Sequence, residues 1–251
     1  MTADDLLDAL ALPPSTRVDR RVPKTLITEH APTAPLRRLV QSGVERLQWT
    51  HALKPTTAGV PATHDDEREV LEIAVLRLTT RPDTNPARLV ETVHRAIPYP
   101  VVLVTEPLEE EGAHLSLVRK RTARDGTGRA VLDGDLVQTP EASGAEIERA
   151  FLDALPLAVQ PQASLDAVYR AWMDAVTALD ASCLLGTYRL PSSPEHADAR
   201  RIALAEVARL DAEIAALRRS ATREKQVARR ADLNLRLSRL RADRQSALDS
   251  I

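Results

Sequence analysis

Residues 69–104 read EVLEIAVLRLTTRPDTNPARLVETVHRAIPYPVVLV, and the order of elements in that stretch decides the architecture. Glu69 to Thr80 is dense in branched residues and is the strongest strand signal in the chain. Asn85-Pro86 then starts a helix with Leu89, Val90, Val93 and Ile97 turned inward, and Pro98-Tyr-Pro100 halts it before the apolar run Val101-Val-Leu-Val104. A strand, a short helix and a second apolar strand in succession form a crossover unit.

Working outward toward the N-terminus, residues 1–12 form a short amphipathic opening ended by Pro13-Pro14, and Arg21 to Thr28 reads as a first strand. Thr33 can cap a helix with Pro35 in its first turn and Leu36, Leu39, Val40, Val44 and Leu47 on one face. Glu45 to Thr57 passes from helix end to strand, and Pro55 to Glu67 is a polar loop. Toward the C-terminus, His114 to Lys120 and Gly128 to Leu132 flank Arg124-Asp-Gly-Thr-Gly128, a hairpin turn. A helix near Ala145 to Leu155 closes this half, and Ser164 can cap another whose Leu165, Val168, Trp172, Val176 and Leu179 form one stripe. The expectation is an α+β chain: a mixed-sheet domain with flanking helices over 1–158, then an all-α region over 159–251.

The last part of that region, 197–251, contains no Gly and no Pro. Ala203, Val207, Leu210, Ile214 and Leu217 alternate steps of four and three, and Leu233, Leu237, Leu240 and Ala247 resume the pattern. The phase shifts near Ser220 to Thr222, which favours a helical hairpin over one rod of roughly 80 Å. Val207, Leu210, Ile214, Leu217, Leu233, Leu237 and Leu240 are the expected partner-binding seam, in which Gln226, Arg230 and Arg244 must be solvated or meet polar groups.

Apolar residues make up 43% of the 251 and charged residues 28%, as in an ordinary soluble chain, but the aromatics number six, so an aromatic binding cage is not expected. The formal charge of −2 hides an asymmetry: residues 200–251 hold 13 Arg and Lys against 7 Asp and Glu, a net of +6, and residues 1–199 carry −8. Arg229, Arg230, Arg236 and Arg239 are therefore candidate phosphate contacts. The competing reading is a solvated surface whose arginines pair with Asp211, Glu213, Glu224 and Asp232. Cys183 is the lone cysteine and is expected to be a buried inert thiol. The acidic N-terminus lacks an h-region and no apolar run approaches the roughly 18 residues of a membrane span, so a cytoplasmic protein is expected.

The common phosphate-loop, dinucleotide, zinc-protease and nucleophile-elbow signatures are missing from the sequence. Three constellations remain. His64-Asp-Asp-Glu67 offers metal ligands in a row, but adjacent loop residues splay apart and a solvated loop is favoured. Asp133-Gly-Asp135 can hold a divalent cation for phosphodiester cleavage, against the simpler reading of a turn. Lys24 and Lys54, each beside a Pro and each at an expected strand, can line one anion-binding face or act as edge-strand charges. No catalytic residue, metal, cofactor or small-molecule substrate is expected.

Val22-Pro-Lys24, Leu47-Gln-Trp-Thr50, Lys54-Pro-Thr-Thr57, Ala96-Ile-Pro-Tyr-Pro-Val-Val-Leu-Val104 and Arg223-Glu-Lys-Gln-Val-Ala-Arg-Arg-Ala-Asp-Leu-Asn234, taken together, resemble a bacterial family, domain of unknown function four-three-nine-one. Where that family often shows an aromatic after Glu-Lys-Gln, this chain has Val227-Ala228. The resemblance implies a gene beside a helicase and an adenine DNA methyltransferase in restriction-like anti-phage islands, and brings no catalytic residues. The function expected is a non-catalytic adaptor or scaffold subunit docking on the helicase or methyltransferase, with a possible DNA contact. The alternatives are a metal-dependent nuclease using Asp133 or Asp135, a DNA-binding component of the same system, and a self-associating coiled coil whose body binds an anion.

Overall fold

The computed structural model describes residues 1–64, 68–109, 111–123, 130–140 and 144–251. The chain opens with α1 (Ala3–Ala9), a 3-10 turn, β1 (Arg17–Arg21), α2 (Lys24–Glu29), α3 (Ala34–Gly43), β2 (Val44–Leu53) and the one-turn α4 (Pro55–Ala58). A small ribbon of β3 (Thr63–His64) and β4 (Glu69–Val70) precedes β5 (Ile73–Thr80), α5 (Pro86–Ala96), β6 (Val101–Pro107), β7 (His114–Thr122) and β8 (Ala130–Gln138). Helices α6 (Ala145–Asp153), α7 (Leu165–Leu185), α8 (Pro194–Arg223) and α9 (Val227–Leu248) follow.

The fold is the mixed α+β arrangement expected. Six strands form one sheet in the order β1-β2-β5-β6-β7-β8. The crossover places β5 and β6 side by side in parallel, from Ala74 opposite Val101 to Thr80 opposite Pro107, while the other neighbours are antiparallel. The side chain of Asn85 caps α5 by accepting from Arg88 N at 3.3 Å, and Leu89, Val90, Val93 and Ala96 go into the core. Alternate residues of the central strands, Ala74, Leu76, Leu78, Val101 and Leu103, meet that helix face together with Ile27 and Val40. Ile73, Val75, Val102 and Val104 are buried on the opposite face. Burial on both faces explains why these strands read as continuous apolar runs.

Two local expectations are corrected. Arg21 to Thr28 is not one strand, because Pro23 has no N–H to continue the ladder and instead leads into α2; the last ladder bond runs from Val22 N to Leu47 O at 2.8 Å. The helix at Thr33 stops at Gly43, so Val44 and Leu47 reach the core from β2. A Cβ on Gly43 would lie 2.6 Å from Thr84 Cγ2, and the bare glycine permits that close approach.

Contacts divide the chain into compact units Met1–Cys183 and Leu184–Ile251. Most of α7, which the sequence reading assigns to the second domain beyond residue 158, therefore belongs with the sheet. Its Tyr169 hydroxyl donates to Val101 O at 2.8 Å and accepts from Val118 N at 3.0 Å, joining the helix to β6 and β7. Trp172 Nε1 donates to Leu155 O at 2.8 Å.

Candidate nucleic-acid interface

The second unit contains a helical hairpin. Ser193 caps α8 through His196 N, and the chain turns at Glu224–Gln226, where Glu224 Oε1 accepts from Gln226 N at 2.8 Å. Helix α9 returns antiparallel: Arg244 pairs with Asp211 at 2.6 Å, and His196 reaches the backbone of Ile251. The turn lies a few residues beyond the expected break at Ser220–Thr222.

The seam leucines are used inside the hairpin. Val207, Leu210, Ile214 and Leu237 are buried, and Leu217, Leu233 and Leu240 pack around Ile214, Ala221 and Leu237. The seven residues expected to bind a partner are thus in large part spent on the chain's own packing, because each stripe finds its complement in the other arm. Of the polar positions in that seam, Arg244 meets Asp211, while Gln226 and Arg230 are exposed.

Charge is divided along the hairpin. Near its base the arginines are paired: Arg201 with Asp198, Arg209 with both Glu206 (2.7 Å) and Glu213 (3.1 Å), and Arg244 with Asp211. The bond to Glu206 raises the pKa of the Arg209 guanidinium and holds the Glu206 carboxyl below its ordinary value. From Arg218 to Arg241 the chain carries nine Arg and Lys against two acids, Glu224 and Asp232. All nine are exposed, and none has an ion pair among the described residues. Arg229, Arg230, Arg236 and Arg239 belong to this group, and Arg218, Arg219, Arg223, Lys225 and Arg241 join them. Arg218 and Arg241 were not singled out by sequence reasoning, because their membership depends on where α8 and α9 meet.

The other expected site residues do not converge. Lys24 donates Nζ to Gln41 O at 3.2 Å near the start of β2, with its pKa lowered by burial and then by Arg81. Lys54 follows the far end of β2 and pairs with Glu72 at 3.1 Å. Ten residues of strand, roughly 30 Å at about 3.3 Å each, lie between them, so they do not line one anion site. Neither lies in a strand: Lys24 opens α2 and Lys54 caps α4. Asp133 is held by Arg68 at 2.5 Å and Arg121 at 3.6 Å, cations that compete with a metal for its carboxylate, while Asp135 is exposed on β8. His64 pairs with Glu69 at 3.2 Å, and the rest of its acidic motif lies outside the described residues, as does the Arg124–Gly128 turn. Cys183 is exposed and not buried; its thiol pKa is raised by partial desolvation and then by Asp180, which disfavours the nucleophilic thiolate.

Sequence reasoning also missed a buried polar group beneath the Ile97-Pro-Tyr-Pro100 entry to β6. Lys120 on β7 donates Nζ to Ile97 O and to Tyr99 O (2.6 Å), so one ammonium closes the C-terminus of α5 and the proline turn together. His94, fully buried on α5, meets Ser116 Oγ at 3.1 Å. Both groups are enclosed, and their geometry is that of a structural clamp. Among the described residues no cluster of three or more His, Cys, Asp or Glu is placed to hold a metal ion, and no helix is long and apolar enough to cross a membrane.

A family model, Domain of unknown function (DUF4391), matches residues 10–243. No curated protein and no solved structure matches the chain.

Proposed function

The chain belongs to the DUF4391 family, and from that premise we propose a non-catalytic subunit of a DNA-directed complex whose helical hairpin makes the nucleic-acid contact. The observation that carries this reading is the group of nine exposed, unpaired cations against two acids between Arg218 and Arg241. Each phosphate that such a surface neutralises releases condensed counterions, a favourable term that needs no sequence readout. Residues 194–251 contain no Phe, Tyr or Trp, so the hairpin lacks the large aromatic platforms on which unpaired bases stack, and backbone charge is what it is equipped to meet.

The resemblance to genes beside a helicase and an adenine DNA methyltransferase supplies the partner for this reading: an adaptor that brings the arm to one of those enzymes in a cytoplasmic anti-phage system. With the seam leucines enclosed, the protein contact moves to exposed apolar residues of α9, on which Val227 is 72% and Leu235 55% exposed.

The test is direct. Purified protein titrated with a 20-base-pair duplex should bind at 50 mM salt and release it steeply by 200 mM; absence of binding at the lower salt removes the nucleic-acid contact. Co-expression with the neighbouring helicase or methyltransferase should give a stable complex that Val227→Asp with Leu235→Asp disrupts. Unchanged capture by that variant would take these two residues out of the interface.

A further inference from the structure

Helical periodicity places eight of the hairpin's arginines on two faces, four on each, and we propose that only one of these faces, carrying Arg218, Arg230, Arg241 and Arg244, is a phosphate-binding site for the backbone of duplex nucleic acid. This rests on the reading that the hairpin contacts nucleic acid, and it names the side and the residues that do so. A groove of about 440 Å³ opens between the arms, lined by Asp211, Ala215 and Arg218 from α8 and by Arg241, Arg244 and Gln245 from α9. Arg230 precedes Arg241 by 11 residues, three helical turns, and so falls on the same side. Asp211 holds the Arg244 fork at the groove wall through Nε at 2.6 Å and a second N–H at 3.1 Å. Arg218 and Arg241 have no ion pair among the described residues and are free to meet an anion.

The other side differs in sign. On α9, Asp232, Arg236, Arg239 and Asp243 follow one another at steps of four, three and four, which places two acids on the face of two arginines. On α8, Glu206, Glu213 and Glu224 are spaced by seven and eleven and share that side, with Arg209 already bonded to the first two. Counting Arg229, the second face holds five acids against four arginines, whereas the groove face holds four arginines against Asp211 and Asp249, the latter bonded to Gln245; Arg219 and Arg223, four residues apart on α8, point away from α9 between the two faces, and Lys225 lies in the turn. Of the cations that stand out in the linear sequence, Arg229, Arg236 and Arg239 thus lie among carboxylates that repel phosphate. From Arg230 to Arg241 the groove row runs about 16 Å at 1.5 Å per residue, close to half a helical turn of B-form duplex. The high phosphate density of a duplex suits a short row of fixed cations better than a flexible single strand, for which the hairpin offers no Phe, Tyr or Trp platform.

Two variants of the full chain separate the faces: Arg218→Ala/Arg230→Ala/Arg241→Ala on the groove side and Arg229→Ala/Arg236→Ala/Arg239→Ala on the other. Helical content by circular dichroism verifies that both remain folded. Binding of a fluorescent 20-base-pair duplex is followed by anisotropy from 50 to 200 mM salt. Three phosphate contacts predict a fall in wild-type affinity of roughly 40-fold over that range. The groove variant should lose that salt slope along with most of its affinity at 50 mM, and the second variant should stay within about twofold of wild type. A loss in the second variant equal to that in the first overturns the one-sided site while leaving the nucleic-acid reading in place. A wild-type chain that ignores duplex at 50 mM overturns the reading itself. Equal affinity for a single strand of the same length, or displacement of duplex by millimolar inorganic phosphate at matched ionic strength, overturns the assignment to a duplex backbone.

Discussion

Lys120 is 8% exposed and donates to two backbone carbonyls, those of Ile97 and Tyr99, without a carboxylate partner among the described residues. Burial pushes its pKa from 10.5 down to about 7. The unfolded chain therefore binds more protons than the folded one between about pH 7 and 10.5, and the cost of burying the ammonium is relieved as pH rises through that window. The stability of the wild type relative to Lys120→Met should increase with pH there, by at most about 1.4 kcal/mol per unit. Denaturant melts at pH 7, 8 and 9 measure it, and a constant difference would mean that the ammonium is not desolvated. His94 acts at lower pH with the same sign: burial and then the Lys120 charge depress it to about 3, so native protein loses stability as pH falls below 6.5. Tyr169 supplies a third residue-scale expectation. Phe at that position leaves Val118 N and Val101 O without the hydroxyl in a fully buried setting, and should cost about 1–3 kcal/mol in the same melts.

At the scale of elements, the hairpin is stabilised by the residues first expected to bind a partner. Leu210→Asp with Leu217→Asp should cost several kcal/mol by placing charge in the α8/α9 seam, melting helical signal from the second unit while the sheet unit keeps its Trp172 environment. Retained helicity with lost partner capture would instead restore the seam to the interface. The heptad steps at Val207–Leu217 and Leu233–Leu240 made the helices legible, because a 3.5-residue apolar repeat requires a covered seam whatever covers it. They do not say whether the cover is a neighbour or the same chain; that depends on the turn at Glu224–Gln226. The crossover from β5 through α5 to β6 was legible for a similar reason, since branched runs on either side of a capped helix leave little else to form. Arg21 to Thr28 misled because Pro23 divides a β-like composition into the end of one element and the start of the next. The Lys120 clamp was invisible because it links positions more than 20 residues apart, and the two arginine faces were invisible until the seam fixed the orientation of each helix.

For the whole molecule, opposite charge in one chain bears on how copies meet each other and on the proposed contact with DNA. Residues 1–199 carry a net −8 and residues 200–251 a net +6, so the near-neutral total of −2 gives little protection against attraction between copies. At about 10 mM salt the screening length is roughly 30 Å, long enough for the basic arm of one molecule to feel the acidic portion of another; at 150 mM it is about 8 Å. Light scattering should therefore report an apparent mass above 27.5 kDa at low salt that returns toward the monomer as salt is raised. A short duplex added at low salt should reduce this self-association, because phosphate and acidic protein compete for Arg218, Arg230 and Arg241. The groove-side triple variant should show neither effect. If the mass is unchanged by salt, the two charged portions do not act as separate patches; if duplex leaves self-association untouched, the cations that attract protein are not those that meet DNA.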